Sequence, residues 1–321
     1  MSTKSKNKKL RIVFMGTPDF AVGSLQSILD AGFNVVGVIT APDRPAGRGR
    51  KIQKSAVKQF AEEHDLKILQ PTNLKDEGFL SDLKSLRVNL QVVVAFRMLP
   101  KVIWQMPEYG TFNLHASLLP QYRGAAPINW TIINGDTETG VTTFFIDDKI
   151  DTGNIILQKT EPIFQEDNVG TLHDRLMNLG AKLVVETCEQ IESGNVSSTP
   201  QKHFQNLRPA HKIYKETCKV DWNVHIDQIH NLIRGLSPYP TAWTYLINNG
   251  KEESMKIYKT TMENAEHDHS VGKLFWDKKE MKVAVEGGYL QLLEVQLSGK
   301  RKMTIREVLN GLTLDKNAHL R

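Results

Sequence analysis

LRIVFMGTPDFAVGSLQSILDAGFNVVGVIT, residues 10–40, is the stretch that decides the fold class. Residues 10–16 form a short apolar run of the kind that makes a strand buried on both faces. Asp19 and Phe20 then open an amphipathic pattern with Ala21, Leu25, Ile28 and Leu29 on one stripe, and Gly32 closes it. Residues 34–40 (NVVGVIT) are apolar again. Strand, helix and strand in succession spell a βαβ unit, whose crossover helix joins parallel neighbours. The same alternation continues outward. Helical periodicity covers residues 54–64 and 76–86, and a strand pattern covers 88–96. GTFNLH, GVTTFFI and NIILQKT add further strands, and a helix from about 171 to 191 closes the series. The expected class is α/β, a doubly wound, mostly parallel sheet. The turn after the first strand reads GTPDF. It lacks GxGxxG, and Pro18 sits where that fingerprint needs close backbone approach, so the sheet is Rossmann-like without a nicotinamide cofactor.

Past that helix the pattern changes. Residues 192–201 (ESGNVSSTPQ) are small and polar, and a linker is expected over 192–206. A helix near 226–235 leads through SPYP to short alternating strands near 243–247, 255–258, 273–276, 281–285 and 289–295, with a short helix near 304–310. Short strands separated by turns suggest a small β-barrel, OB-like in type. The expected organisation is a disordered basic tail over 1–9, a catalytic domain over 10–191, the linker, and a C-terminal barrel domain over 207–321.

Charge is uneven. The net charge is +5, yet the first 200 residues hold 22 Lys and Arg against 22 Asp and Glu. Residues 201–321 hold 19 against 14, so the whole surplus lies in the second half, which suits a polyanionic partner. Cys188 and Cys218 have neither metal-ligand nor CxxC spacing, which indicates no disulfide framework and no metal site. No apolar run reaches bilayer length and the N-terminus lacks a signal core, so a cytoplasmic protein is expected.

The chemistry is written in residues 113–153. Asn113 and His115 alternate in TFNLH and so share one side of a strand end. A Gly/Pro-rich loop follows (SLLPQYRGAAPINW, 117–130), and IDDKIDTG brings Asp151. An imidazole, an amide donor and a carboxylate can move protons and stabilise an oxyanion in acyl transfer. Taken singly, each residue has a bland alternative: a satisfied structural histidine, a turn-capping asparagine, an Asx-turn aspartate.

The string around Asn113, His115 and Asp151 resembles the signature of the 10-formyltetrahydrofolate-dependent formyltransferases. In that family the Asn-x-His pair and the later Asp-x-Gly are catalytic. A second string, TAPDRPAGRGRKIQKSAVK (40–58), carries Arg44, Arg48, Arg50, Lys51, Lys54 and Lys58 against Asp43 alone. Two prolines and two glycines argue against helix or strand through its first half. It resembles the loop with which one branch of the family enters the acceptor end of initiator methionyl-tRNA. GTPDFA and SPYPTAW resemble the same branch. AFRMLP (95–100) departs from the longer AYGLILP-like segment of many of its members.

The resemblance implies formyl transfer from 10-formyltetrahydrofolate to the methionyl α-amine, without a metal. It implies a folate site on Phe96, Arg97, Met98, Leu99, Ser117, Leu118, Leu119, Pro120, Asp147, Asp148 and Ile150. It also implies tRNA contacts from Arg44, Arg48, Arg50, Lys51 and Lys54 and from Lys300, Arg301 and Lys302 of the basic second domain. A monomer with initiator methionyl-tRNA as partner is expected. Two rivals stay open, a non-catalytic RNA-binding protein and an amino-sugar nucleotide formyltransferase.

Overall fold

The computed structural model of the 321-residue protein describes residues 9–46, 51–202 and 205–321. Residues 1–8 of the expected tail, and Arg48 and Arg50 of the basic loop, lie outside the described residues, as does the side chain of Lys51.

In chain order the first elements are β1 (Arg11–Gly16), α1 (Asp19–Asp30), β2 (Asn34–Ile39), β3 (Arg44–Ala46), β4 (Lys51–Gln53), α2 (Ala56–Glu63) and β5 (Ile68–Leu69). Next come α3 (Glu77–Ser85), β6 (Leu90–Val94), α4 (Lys101–Trp104), β7 (Thr111–His115), α5 (Pro127–Ile133), β8 (Glu138–Phe145), β9 (Ile155–Pro162) and α6 (Val169–Glu192). The remainder are α7 (Ile226–Leu236), β10 (Ala242–Asn248), β11 (Lys251–Asn264), β12 (Leu274–Trp276), β13 (Met281–Val285), β14 (Gly288–Leu297), β15 (Met303–Thr304), α8 (Ile305–Leu309) and β16 (His319–Leu320).

The first sheet runs β5-β2-β1-β6-β7-β8-β9. From β5 to β7 all neighbours are parallel, and β8 pairs antiparallel with β7. Every residue of β6 is buried, as expected of a parallel strand covered on both faces. Ser55 and Asp76 cap α2 and α3, accepting the backbone N–H of Lys58 (3.0 Å) and Phe79 (2.9 Å). The carboxyl ends of β1, β6 and β7 open on one edge of the sheet, where α/β folds hold their ligands.

The basic loop departs from expectation. β3 and β4 pair antiparallel as a two-stranded ribbon, with Pro45 opposite Ile52. Proline is tolerated there because an isolated ribbon is edge on both sides.

The second sheet runs β12-β13-β14-β11-β10-β16, with β15 also on β14. Its two ends meet: Lys273 bridges His319, and Leu320 N–H donates to the Gly272 carbonyl at 2.9 Å. The result is a nearly closed antiparallel barrel, which removes free edges. Ile257, Val283, Leu290, Leu292 and Val295 fill it, and α7 adds Ile226, Ile229 and Ile233. β11 is much longer than the expected 255–258, its two ends running on as exposed, largely polar strand.

The chain packs as two compact units, Met1–Gly124 with Gly140–Glu161 and His173–Pro209, and Ala125–Thr139 with Pro162–Leu172 and Ala210–Arg321. This division departs from the expected boundaries. α5 joins the second unit, where Asn129 donates to the Gly235 carbonyl of α7 (2.8 Å) and Ile133 packs against the barrel core. Residues 192–202 belong to the first unit and are held there. Thr199 exchanges backbone hydrogen bonds with Ile155 (2.8 Å each way), and Gln201 is buried. A polar, small-residue composition reads alike in a free linker and in a strap paired to a strand.

Candidate active site

His115 ends β7 as a buried side chain. Its Nε2 lies 2.8 Å from the Tyr122 carbonyl. A carbonyl only accepts, so Nε2 carries the proton and Nδ1 is left to face Asp151. Asp151 Oδ2 is 3.9 Å from Nδ1. That is beyond hydrogen-bond length. Asn113, two residues earlier, lies on the same side of the strand, about 7 Å along it. Among the described residues its side-chain amide makes no hydrogen bond, which leaves two N–H donors for a ligand.

The Asp151 loop is tightly made. Asp151 has φ 55°, in the left-handed region, and accepts the Gly124 N–H at Oδ2 (2.9 Å). At Gly153 a Cβ would stand 1.6 Å from the Phe145 carbonyl oxygen, so only glycine fits. Gln201 completes the loop. Its Nε2 donates to the carbonyls of Asp151 (2.8 Å) and Gly153 (2.9 Å), and its Oε1 accepts from Arg123 Nε (3.1 Å) and Nη2 (2.6 Å). Sequence reading missed Gln201. It sits in a polar stretch far along the chain from Asp151, and no spacing rule joins the two.

The residues expected to touch folate divide into two groups. Phe96 and Leu99 pack on the same core as Ile146, so the loops after β6 and β8 are neighbours. Lys101 and Asp148 link those loops at 3.7 Å. Met98 (68% exposed) and Ile150 (62% exposed) present apolar surface from one loop each. Asp147 caps its own turn, accepting from Lys149 N–H (3.0 Å) and Thr152 Oγ1 (2.7 Å). Arg97 donates to the carbonyls of Thr72 (3.0 Å) and Pro71, and its guanidinium lies 5.7 Å from the Phe96 ring centroid. Its polar atoms therefore hold the loop.

The other group lies beneath the site. Ser117 is fully buried and donates to the Gln121 carbonyl (2.7 Å), so it offers no surface to a ligand. Leu119 and Pro120 are buried as well. Thr142 Oγ1 and Gln158 support them, Thr142 donating to the Ser117 carbonyl (2.7 Å) and Gln158 Nε2 to that of Leu119 (2.9 Å). Leu118 packs over Gly140. These side chains shape the floor beneath the site.

The basic loop is less bare than its sequence. Lys54 pairs with Glu62 of α2 (2.7 Å), and Lys58 pairs with Asp43 (2.6 Å). Hydrogen bonds from Lys58 and then Gln70 hold the Asp43 carboxyl below its ordinary range. Arg44 is exposed. In the second unit, Arg301 pairs with Glu307 and Lys302 with Glu294, both at 2.7 Å, while Lys300 is exposed with no carboxylate partner among the described residues. Also among the described residues, no helix is long and apolar enough to cross a membrane, and no three His, Cys, Asp or Glu side chains cluster as metal ligands.

A parallel sheet with an amide, an imidazole and a carboxylate gathered at one strand end, followed by an antiparallel barrel, defines a group-transfer enzyme, and the chain belongs to the formyl transferase family. The family model for formyl transferase matches residues 10–188, and that for the formyl transferase C-terminal domain matches 212–313. Within the family its close relatives are methionyl-tRNA formyltransferases. The one from Flavobacterium johnsoniae is 58% identical over 311 residues, covering 97% of this chain and 99% of that protein. The one from Bacteroides fragilis is 54% identical over 314 residues, covering 96% and 97%. Among solved structures, the N-formyltransferase of Helicobacter canadensis superposes with TM-score 0.66 at 22% identity, over 92% of this chain and all of that one (100%). At that identity the likeness concerns the fold alone.

Proposed function

We propose that this formyltransferase moves the formyl group of 10-formyltetrahydrofolate to the α-amine of methionine on initiator tRNA, giving N-formylmethionyl-tRNA for translation initiation. The observation that carries the reading is the convergence of Asn113, His115 and Asp151 at the carboxyl end of β7, with Nδ1 of the histidine turned to the carboxylate. Sequence likeness to methionyl-tRNA formyltransferases over nearly the whole chain supports the acceptor.

In the reaction the amine attacks the formyl carbon, a tetrahedral oxyanion forms, and the bond from carbon to the folate nitrogen breaks. Asn113 donates its amide to the oxyanion. Protonated His115, held through Nε2 by Tyr122, presents Nδ1–H to the same centre. Asp151 orients that charge and takes the proton the amine loses, directly or through water, and the leaving folate nitrogen takes up that proton in turn, relayed through water. No metal is needed for these steps. The pterin and its linker lie against Phe96, Met98, Leu99 and Ile150, with Asp147, Asp148 and Arg97 framing the loops. The basic segment of Arg44, Arg48, Arg50, Lys51 and Lys54 meets the acceptor end. The second unit, through Lys300, Arg301 and Lys302, meets the tRNA backbone. The protein works as a cytoplasmic monomer.

Single-turnover assays with charged initiator tRNA, free methionine esters and amino-sugar nucleotides test this reading. Formylation confined to the charged tRNA, with release of tetrahydrofolate, is the expected result. Equal rates on a small amine would defeat the choice of acceptor, and tRNA binding without turnover would make the chain a binding module.

A further inference from the structure

Gln201 lies in the strap that composition marks as a linker, yet it is only 9% exposed and every polar atom of its side chain is used. Oε1 accepts twice from Arg123 and Nε2 donates to two carbonyls, Asp151 and Gly153. A guanidinium cannot accept and a carbonyl cannot donate, so the amide has one possible orientation. The two groups that Gln201 grips flank one bond. Arg123 immediately precedes Gly124, whose N–H donates to Asp151 Oδ2 at 2.9 Å, and Gln201 holds the backbone of Asp151 itself. Asp151 lies at φ 55°, a conformation a non-glycine residue seldom adopts unaided, while Gly124 at φ 124° uses the freedom that glycine has.

We infer that Gln201 is a positioning residue for the formyl transfer: it clasps the Arg123–Gly124 turn to the Asp151–Gly153 loop and thereby sets the 3.9 Å spacing between Asp151 and His115. The inference rests on the functional reading above, in which that spacing serves proton transfer. A carboxylate misplaced by about an ångström lowers turnover by on the order of a hundredfold and leaves binding surfaces untouched.

The test uses the full chain with two variants. Gln201→Met keeps the length and removes all four hydrogen bonds; Gln201→Glu keeps the acceptor for Arg123 and removes both donors to the carbonyls. The expected result is a fall in kcat of about 10- to 100-fold in both, with KM for the formyl donor and for methionyl-tRNA within about threefold of wild type. Amide hydrogen exchange at Gly124 and across 151–153 accelerates while the melting temperature of the Glu variant stays close to wild type. Wild-type kcat in either folded variant would overturn the inference. So would a loss lying wholly in KM for tRNA, or unchanged exchange at Gly124. Failure of the wild-type protein to formylate charged tRNA would instead overturn the functional reading, and the exchange measurement would still decide whether the clasp exists.

Discussion

The loops around His115 and the basic ribbon of Arg44 to Gln53 emerge from the same sheet and are built on opposite principles. Around His115 the supporting polar groups are spent inside the protein: Nε2 on Tyr122, Asp151 on Gly124, Gln201 in four hydrogen bonds, Ser117 on Gln121. The ribbon is an isolated hairpin whose base is steadied by Lys58–Asp43 and Lys54–Glu62, and Arg44 on it faces solvent. A site for bond making needs fixed distances, and internal hydrogen bonds supply them. A surface for a polyanion needs charge and reach, which buried partners would neutralise. The two regions should therefore fail differently when altered, one in turnover and the other in selection of the acceptor.

The largest effect is expected inside the clamped loops. His115→Ala and Asp151→Asn should each lower kcat by about 10²- to 10⁴-fold, the usual magnitude for a lost acid–base group, with folate and tRNA binding preserved. Rapid-quench formylation beside equilibrium binding separates the two quantities. Near-normal turnover in both variants would mean that the tight construction serves folding alone.

How far the sequence foretold this contrast depends on the range of each interaction. The βαβ start is legible because strand and helix periods are local. β13 falls on the expected 281–285. The pair Asn113 and His115 follows from alternation alone. The two-residue strands β5 and β16 carry too few positions to show any period, though β16 closes the barrel. α5, a seven-residue helix begun by Pro127, reads as a continuation of the Gly/Pro-rich loop. Gln201 and the partnership of Lys54 with Glu62 arise from tertiary contact, and no local signal announces them.

On the ribbon, the comparison predicts unequal lysines and arginines. Arg48 lies between two glycines in AGRG, outside the described residues, and its planar fork suits phosphate or base edges. Arg48→Ala should reduce formylation of initiator tRNA by about 10- to 100-fold, the worth of charge-assisted hydrogen bonds, and Arg48→Lys should recover part of it. Lys54→Ala breaks an exposed pair with Glu62 and should change the rate by less than about fivefold. Equal losses for the two variants on charged initiator and elongator tRNA would reduce the ribbon to undirected charge.

A smaller and wholly different effect belongs to the barrel's supporting helix. His230 of α7 bonds Thr260 of β11 through Nδ1 at 2.9 Å. Burial first, then Arg234, push its pKa down to about 4, with Asp227 opposing. The folded state thus binds a proton less readily than the unfolded chain, so the contribution is intact above about pH 6.5. It is lost progressively as pH falls to about 4, and amounts to at most about 3 kcal/mol. Denaturant titrations of wild type and His230→Gln across that window should diverge, the variant showing the flatter dependence. Parallel curves would place the acid sensitivity elsewhere.

The smallest effect concerns Lys300, Arg301 and Lys302, and it tests whether pairing dulls a basic surface. If all three met phosphate, neutralising them would flatten the slope of log binding constant against log salt by nearly three. Two of them already hold carboxylates, Arg301 with Glu307 and Lys302 with Glu294. Glu307 is committed twice over, since it also accepts from Thr304 N–H (2.8 Å) and Oγ1 (3.0 Å) in the capping box of α8. Its pKa is lowered to about 2, by the Arg301 hydrogen bond first and the Thr304 bonds next. Lys300 is therefore the side chain most ready to release a counterion, and the triple change to Gln should reduce the slope by about one. Glu294→Gln with Glu307→Gln frees the other two cations while a glutamine still completes the capping box, so it should steepen the slope. Filter binding of initiator tRNA from about 50 to 200 mM salt reads both effects. A drop of nearly three in the triple variant, with no steepening in the double one, would show that these ion pairs yield freely to phosphate and that the ribbon and the barrel differ only in position.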